Sequence, residues 1–309
     1  MGRVYAARDL ETGREVAIKF LNTEHFTTAN LRRFRREARI ATAVRHRRVC
    51  EVFHLGVEQG VPYIVMERLV GETLRRRITE TGPLSPLDAI TLMIQVLDGL
   101  SAAHAVNVIH RDIKPGNIII TTPRAAPPQV KIIDFGLGKL MGPLVSALTH
   151  PSEELSAITE TDMIPGTPSY MSPEQIAGVR DLDHRVDVWA AGLTLYELLL
   201  GRRPYVAPTY PEVVRRIMLV SLPPLSSSRA DLPRGFDAVL EKALAKRRDE
   251  RYQSAAEFRA ALVEVWARHR TAAVARGERL RKWPEATTRA DADALEEETE
   301  LDILIKFEP

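Results

Sequence analysis

Three polar side chains of complementary chemistry, Asp112, Lys114 and Asn117, lie within six positions of one another. The runs on either side, from Val108 and up to Ile120, are rich in β-branched residues, so we expect the polar cluster on a loop between two buried strand edges. A carboxylate can accept a proton from a hydroxyl group, an ammonium group can neutralise a phosphoryl group in transfer, and a carboxamide can ligate a hard cation. Together these groups indicate phosphoryl transfer.

Two other stretches carry matching chemistry. In Val16–Lys19 the alternation of a strand points Ala17 and Lys19 to the same face. The β-branched run from Val130 ends in Asp134-Phe135-Gly136, seventeen residues after Asn117. The sequence Asp-Phe-Gly alone is common in turns. Its position directly after a buried strand, at this distance from Asn117, indicates a functional carboxylate more strongly than an ordinary turn.

These stretches resemble the motifs of protein kinases. The run from His110 to Asn117 matches the catalytic loop H-R-D-x-x-x-x-N, Val16–Lys19 resembles V-A-I-K, and Asp134 opens a D-F-G. A lysine two residues after the loop aspartate resembles the serine/threonine branch. The resemblance, to eukaryotic-like (Hanks-type) serine/threonine kinases of bacteria, runs from Gly2 to about Val265.

The resemblance implies an α+β, two-lobed protein-kinase-like fold. A small antiparallel β lobe with one helix would span residues 1–67, and a larger, mainly helical lobe would span 68–265, including an activation segment at 134–174. Residues 266–309 form a charged tail, basic and then acidic. Such runs are usually solvated; the alternative is that the acidic run folds back on basic surface as a regulator.

The same resemblance implies ATP and Mg²⁺ as cofactors and assigns roles to the motif residues. Asp112 would orient the acceptor hydroxyl and accept its proton, Lys114 would stabilise the developing charge, and Asn117 and Asp134 would hold Mg²⁺. Further ATP-binding residues implied by the family pattern are Gly2, Val4, Ala17, Lys19, Glu37, Met66, Glu67, Leu69 and Ile119. Glu37 would pair with Lys19; the alternative is a local ion pair with Arg33 on a solvated helix face.

The glycine-rich loop departs from the family pattern. Gly2-Arg3-Val4 resembles only the end of G-x-G-x-x-G-x-V. We expect either that the true start lies upstream of Met1 or that the chain is a truncated, impaired kinase. We prefer the former because the other motifs of the family are present. The alternative function is a nucleotide-binding pseudokinase or scaffold.

The stretch Gly166–Glu174 resembles the substrate-binding end of the activation segment, G-T-P-x-Y-M-x-P-E, with Ser172 where alanine is usual. It disfavours a small-molecule phosphotransferase. By resemblance Thr167 contacts Asp112 and Lys114. The candidate phosphosites are Thr159 and Thr161. A phosphate on either threonine could be bound by the guanidinium of Arg111. The alternative is that both are ordinary loop threonines.

Two structural roles follow from the resemblance. Asp187 would anchor the catalytic loop and Arg251 would pair with Glu174.

The net charge of +2 does not indicate a nucleic acid or membrane partner. No membrane segment is expected, because the longest apolar stretch, 188–200, is too short to span a bilayer. We expect a cytoplasmic enzyme that acts on Ser/Thr-bearing proteins and autophosphorylates in trans through a dimer.

Overall fold

The structure, a computed structural model, describes residues 3–21, 42–59, 61–121, 128–135, 168–233, 235–275 and 303–305. The strands are β1 (Arg3–Asp9), β2 (Glu15–Phe20), β3 (Val52–Glu58), β4 (Val61–Glu67), β5 (Glu72–Thr73), β6 (Ile118–Thr121), β7 (Gln129–Ile132) and β8 (Ile303–Ile305). The α-helices are α1 (Leu74–Thr81), α2 (Pro86–Ala105), α3 (Pro173–Ile176), α4 (Arg185–Leu200), α5 (Tyr210–Leu219), α6 (Phe236–Ala243) and α7 (Ala255–Ala275).

The first sheet has the strand order β3-β4-β2-β1-β8, and the pairs among β1 to β4 are antiparallel. Alternation buries Val16 and Ile18 of β2 against Ala7 and Val65, which gives this sheet its own small core. The apolar run over residues 49–57 predicts a strand. β3 begins only at Val52, because Val49 instead forms a parallel bridge to Ile132 of β7.

The apolar spacing of Leu31, Phe34 and Ala38 predicts a helix over residues 30–45. Residues 30–41 lie outside the described part of the chain, and residues 42–45 are not helical, so the predicted end of this helix is wrong.

The strand β8 was not predicted within the charged tail. It pairs in parallel with β1, with Ala7 opposite Ile303 and Asp9 opposite Ile305. The run Ile-Leu-Ile favours strand formation, and β1 offers it a row of backbone N–H and C=O groups at the edge of the sheet.

The helical part has its core between α2, α4 and α7. Ser85 caps α2 by accepting a hydrogen bond from the N–H of Asp88 at 3.2 Å, and Pro86 occupies its first turn, as the sequence predicts. α4 is buried nearly all round and ends at Gly201, whose φ of 69° suits glycine. By length and composition α2 could cross a membrane, but it packs as a core helix against α4 and α7. A β-rich first part and a helical second part confirm the predicted α+β fold.

A second sheet, β5-β6-β7, carries the site. The catalytic loop leads through a 3₁₀ turn at Pro115–Asn117 into β6, and β7 leads into Asp134. Because β6 and β7 are antiparallel neighbours, with Ile118 opposite Ile132, the start of one lies beside the end of the other. This pairing brings Asn117 and Asp134 to one edge of the sheet.

Candidate active site

Asp112, Lys114 and Asn117 form one hydrogen-bonded cluster. Nζ of Lys114 lies 2.7 Å from Oδ2 of Asp112. Nδ2 of Asn117 donates to the same Oδ2 at 2.9 Å and to the backbone carbonyl of Asp112 at 2.7 Å. Asn117 is buried, whereas the side chain of Asp112 is 44% exposed. A carboxylate open to solvent is therefore held by a cation and a carboxamide.

The backbone of the catalytic loop is anchored by Asp187 of α4. Its Oδ1 accepts from the N–H of Arg111 at 2.7 Å, and its Oδ2 accepts from the N–H of His110 and from Nε2 of His104, both at 2.8 Å. Complete burial alone would raise the pKa of Asp187, but the hydrogen bonds and the two imidazoles outweigh it and the pKa lies below its ordinary value. The carboxylate stays ionised inside the core and fixes the loop.

His110 connects the loop to the segment that carries Asp134. Its Nδ1 accepts from the N–H of Asp112 at 3.2 Å, and its Nε2 donates to the carbonyl of Ile133 at 2.8 Å. Its ring also meets the ring of Phe135 edge-on at 4.6 Å. These contacts assign the Nε2–H tautomer and hold the two carboxylate-bearing segments in one arrangement.

Two residues of this arrangement have left-handed backbone conformations that side chains disfavour. The φ angles are 70° at Arg111 and 65° at Asp134. Such conformations persist only where surrounding contacts hold them, and they concentrate at functional sites. At Arg111 the hydrogen bond to Asp187 is one such contact.

Lys19 of β2 reaches across to Asp134. Its Nζ lies 2.6 Å from Oδ2 of Asp134, and both side chains are largely buried. Glu37, the partner that the family pattern implies for Lys19, lies outside the described residues. The contact joins the first sheet to the edge of the second.

The register of the first sheet places other candidate ATP residues side by side. Val4 on β1 is paired with Lys19 on β2, and Ala17 on β2 is paired with Met66 on β4. Ile119 lies on β6, in the other sheet. The residues outside the described part of the chain are Gly2, Glu37, Thr159, Thr161 and Thr167.

The end of β4 is held by a lysine that sequence reasoning missed. Nζ of Lys131 on β7 lies 2.7 Å from Oε2 of Glu67, which also accepts from the N–H of Glu51 at 3.3 Å. The Cys50 thiol contacts the backbone carbonyl of Glu67, and burial raises the pKa of that thiol to about 12. Glu67 is thereby tied to the strand that leads into Asp134.

A buried ion pair anchors the end of the substrate-binding segment. Nη1 and Nη2 of Arg251 lie 2.6 and 2.8 Å from the two carboxylate oxygens of Glu174, the pairing that the family pattern implies. Arg75, Tyr170 and Glu197 form a second hydrogen-bonded cluster beside it, which the sequence did not suggest.

Asn117 and Asp134 are suited to Mg²⁺. Within the described ranges no group of three or more His, Cys, Asp or Glu side chains forms a ready-made metal site. Mg²⁺ usually takes one or two protein oxygen ligands together with substrate phosphates and water. A carboxamide and a carboxylate brought to one sheet edge match that requirement.

A family model described as protein kinase domain matches residues 1–266. A probable serine/threonine-protein kinase of Corynebacterium efficiens is 40% identical over 285 residues, which cover 89% of this chain and 41% of that protein. The serine/threonine-protein kinase PknB of Mycolicibacterium smegmatis is 37% identical over 270 residues, which cover 86% of this chain and 41% of that protein. The crystal structure of the Mycobacterium tuberculosis PknI kinase domain, a mutant form, has a TM-score of 0.66 at 26% identity and covers 86% of this chain and 91% of that one. The chain spans about two fifths of the length of these curated relatives.

Proposed function

We propose that this chain, which belongs to the protein kinase family, transfers the γ-phosphoryl group of ATP to Ser or Thr hydroxyls of proteins. The observation that carries the proposal is the cluster of Asp112, Lys114 and Asn117, tied through His110 to the segment of Asp134. Catalysis of this kind depends mostly on placement and charge stabilisation. The contacts described above support the proposal because they place a carboxylate, a cation and a carboxamide together.

Each member of the cluster has a distinct role in the proposed reaction. The exposed carboxylate of Asp112 accepts a hydrogen bond from the acceptor hydroxyl, orients it and takes its proton. The ammonium group of Lys114, already 2.7 Å from that carboxylate, stabilises the negative charge that develops on the transferred group. Asn117 keeps the carboxylate in place by donating to it.

ATP is proposed to bind between the two sheets. Lys19 positions its phosphates, with Glu37 as the partner that the family pattern supplies. The backbone of Glu67 and Leu69 bonds adenine. The other residues of the adenine pocket and phosphate loop are Gly2, Val4, Ala17, Met66 and Ile119. Asn117 and Asp134 hold Mg²⁺, which when bound neutralises phosphate charge.

The activation segment is proposed to control this site. A phosphate on Thr159 or Thr161 would be bound by Arg111, since a dianion and a guanidinium form strong charge-assisted bonds. Thr167 would contact Asp112 and Lys114. We infer autophosphorylation in trans through a dimer and, because ATP is a cytoplasmic cofactor, a kinase domain that acts in the cytoplasm.

The test is transfer of labelled phosphate from ATP in the presence of Mg²⁺ to a basic protein substrate. Asp112→Asn and Lys19→Met are the matched variants, since each removes one charge and little volume. Label on Ser or Thr is expected with the wild-type chain and not with the variants. Equal label in all three would refute the mechanism, and nucleotide binding without transfer by the wild-type chain would favour a pseudokinase.

A further inference from the structure

The side chain of Gln175 touches the catalytic loop, although none of the roles described above involves it. Its Nε2 donates to the backbone carbonyl of Arg111 at 3.0 Å. Gln175 belongs to α3, which begins at Pro173 within the substrate-binding segment and continues past its last residue, Glu174. Arg111 directly precedes Asp112. The contact is the hydrogen bond by which the end of that segment reaches the backbone beside the proposed proton acceptor.

The orientation of Gln175 is set by Ser172, the residue that departs from the family pattern. Ser172 is fully buried at the N-terminus of α3, and its Oγ accepts from the N–H of Gln175 at 3.3 Å. In return the N–H of Ser172 donates to Oε1 of Gln175 at 2.9 Å. This reciprocal capping box needs the serine hydroxyl, so an alanine at this position could not complete it.

Because Oε1 of Gln175 is bound to Ser172, the amide nitrogen is the end that faces Arg111. Both ends of the carboxamide are therefore used, and the hydrogen-bond network determines which is which. A side chain held in this way acts as a rigid bridge.

The bridge ends on the peptide group that joins Arg111 to Asp112. The carbonyl of this peptide accepts from Gln175, and its N–H donates to Nδ1 of His110 at 3.2 Å. The other side of Arg111, its own N–H, is bound to Asp187. Arg111 has a φ of 70°, a conformation that needs external support. Gln175 supplies the support on the side nearest Asp112.

We propose that Gln175, oriented by Ser172, is a positioning residue that couples the end of the substrate-binding segment to the orientation of Asp112. The proposal rests on the proposed function of Asp112 as proton acceptor. A shift of α3 carries the amide of Gln175 with it and releases or tightens the peptide that precedes Asp112.

Gln175→Glu is the sharpest variant, because it keeps the oxygen that accepts from Ser172 and replaces only the N–H donor with an oxygen that repels the Arg111 carbonyl. Gln175→Met has a similar length and removes both bonds. Ser172→Ala removes the hydroxyl that accepts from the N–H of Gln175, but it keeps the backbone N–H that binds Oε1 and leaves the Nε2 donor of Gln175 in place. Gln59→Glu makes the same charge change at an exposed turn and serves as the control.

We expect kcat to fall about tenfold in Gln175→Glu and Gln175→Met, the loss that one well-placed hydrogen bond can cause, with KM for ATP unchanged. The kcat of Ser172→Ala should fall two- to threefold, and the kcat of Gln59→Glu should equal that of wild type. The proposal is overturned if the Gln175 variants keep kcat within twofold of wild type.

A second readout does not require activity and separates this proposal from the proposed function. Amide hydrogen exchange of the peptide covering residues 108–117 should speed up at least threefold in both Gln175 variants and remain unchanged in Gln59→Glu. Faster exchange supports the bridge even if the wild-type chain transfers no phosphate. Unchanged exchange in folded Gln175 variants overturns it.

Discussion

Lys19 and Asp134 form an ion pair, with Nζ of the lysine 2.6 Å from Oδ2 of the aspartate. The lysine lies on the first sheet, and the aspartate follows the last strand of the second. Their side chains are only 17% and 21% exposed, so solvent screens the attraction weakly. This pair fixes the proposed phosphate-binding lysine relative to the proposed metal ligand.

Asp134→Asn should leave the fold intact and remove the function of this pair. The variant keeps the shape of the side chain but removes the charge that binds Lys19 and that is proposed to hold Mg²⁺. We expect kcat/KM for ATP to fall roughly 10²–10³-fold, the scale of losing one charge-stabilising group, and the Mg²⁺ concentration for half-maximal rate to rise. Steady-state kinetics with a Mg²⁺ titration measure both. The control is Asp231→Asn, which makes the same change at an exposed carboxylate paired with Arg229. An unchanged Mg²⁺ concentration for half-maximal rate would contradict the assignment of Asp134 as a Mg²⁺ ligand.

The catalytic motifs and most elements could be predicted because their causes are local. A serine followed by a proline predicts the start of α2, a C-cap glycine predicts the end of α4, and alternation places Ala17 and Lys19 on one face of β2. The spacing from Asn117 to Asp134 also leaves room for two short antiparallel strands, which return the chain to the same edge of the sheet.

The supporting residues could not be predicted because their partners are distant in sequence. His104, Lys131 and Gln175 bind groups 83, 64 and 64 positions away. Lys131 and Gln175 lie close to motifs, but none of the three is itself a motif position, so only the fold reveals the contacts. Ser172 is the exception: its difference from the family pattern was visible, but its purpose depends on where Gln175 points.

Glu174→Gln should destabilise the protein strongly. It leaves the fully buried guanidinium of Arg251 without its bidentate partner, and an uncompensated buried charge typically costs about 3–5 kcal/mol. Urea unfolding followed by circular dichroism measures the free energy of unfolding. Removing both charges in Glu174→Gln with Arg251→Met should cost less than the sum of the single changes. The matched control is Glu250→Gln, since Glu250 and its partner Arg247 are exposed; an equal loss there would contradict the prediction.

Lys131→Met should weaken ATP binding more than it slows transfer. The lysine holds the carboxylate of Glu67, and the backbone of that residue is proposed to bond adenine. Without the ion pair we expect KM for ATP to rise about three- to tenfold, as for the loss of one charge-assisted hydrogen bond, with kcat within twofold of wild type. Lys242→Met removes a lysine that lies over the ring of Tyr252 and is the control. A fall in kcat with unchanged KM would place Lys131 in a different role.

The carboxylate of Asp183, just before α4, should make stability depend on pH in acid. Partial burial raises its pKa, but hydrogen bonds from Arg185 and the charges of Arg185 and Arg248 lower it to about 2, from an ordinary value of 3.8. Between these values the unfolded chain binds the proton and the folded chain does not, so the free energy of unfolding increases with pH. The contribution of Asp183 is therefore complete above about pH 4 and is lost as the pH falls towards 2.

Asp183→Asn removes this titration. At pH 7 it should lower the free energy of unfolding by no more than about 1 kcal/mol, because the carboxylate is 30% exposed and solvent screens it. From pH 5 to pH 3 the variant should lose stability less steeply than wild type, so that their urea midpoints converge. Asp181→Asn, which removes a carboxylate that is 94% exposed, controls for the loss of one negative charge and should run parallel to wild type. Curves for Asp183→Asn and wild type that stay parallel down to pH 3 would show that Arg185 and Arg248 do not stabilise the ionised carboxylate.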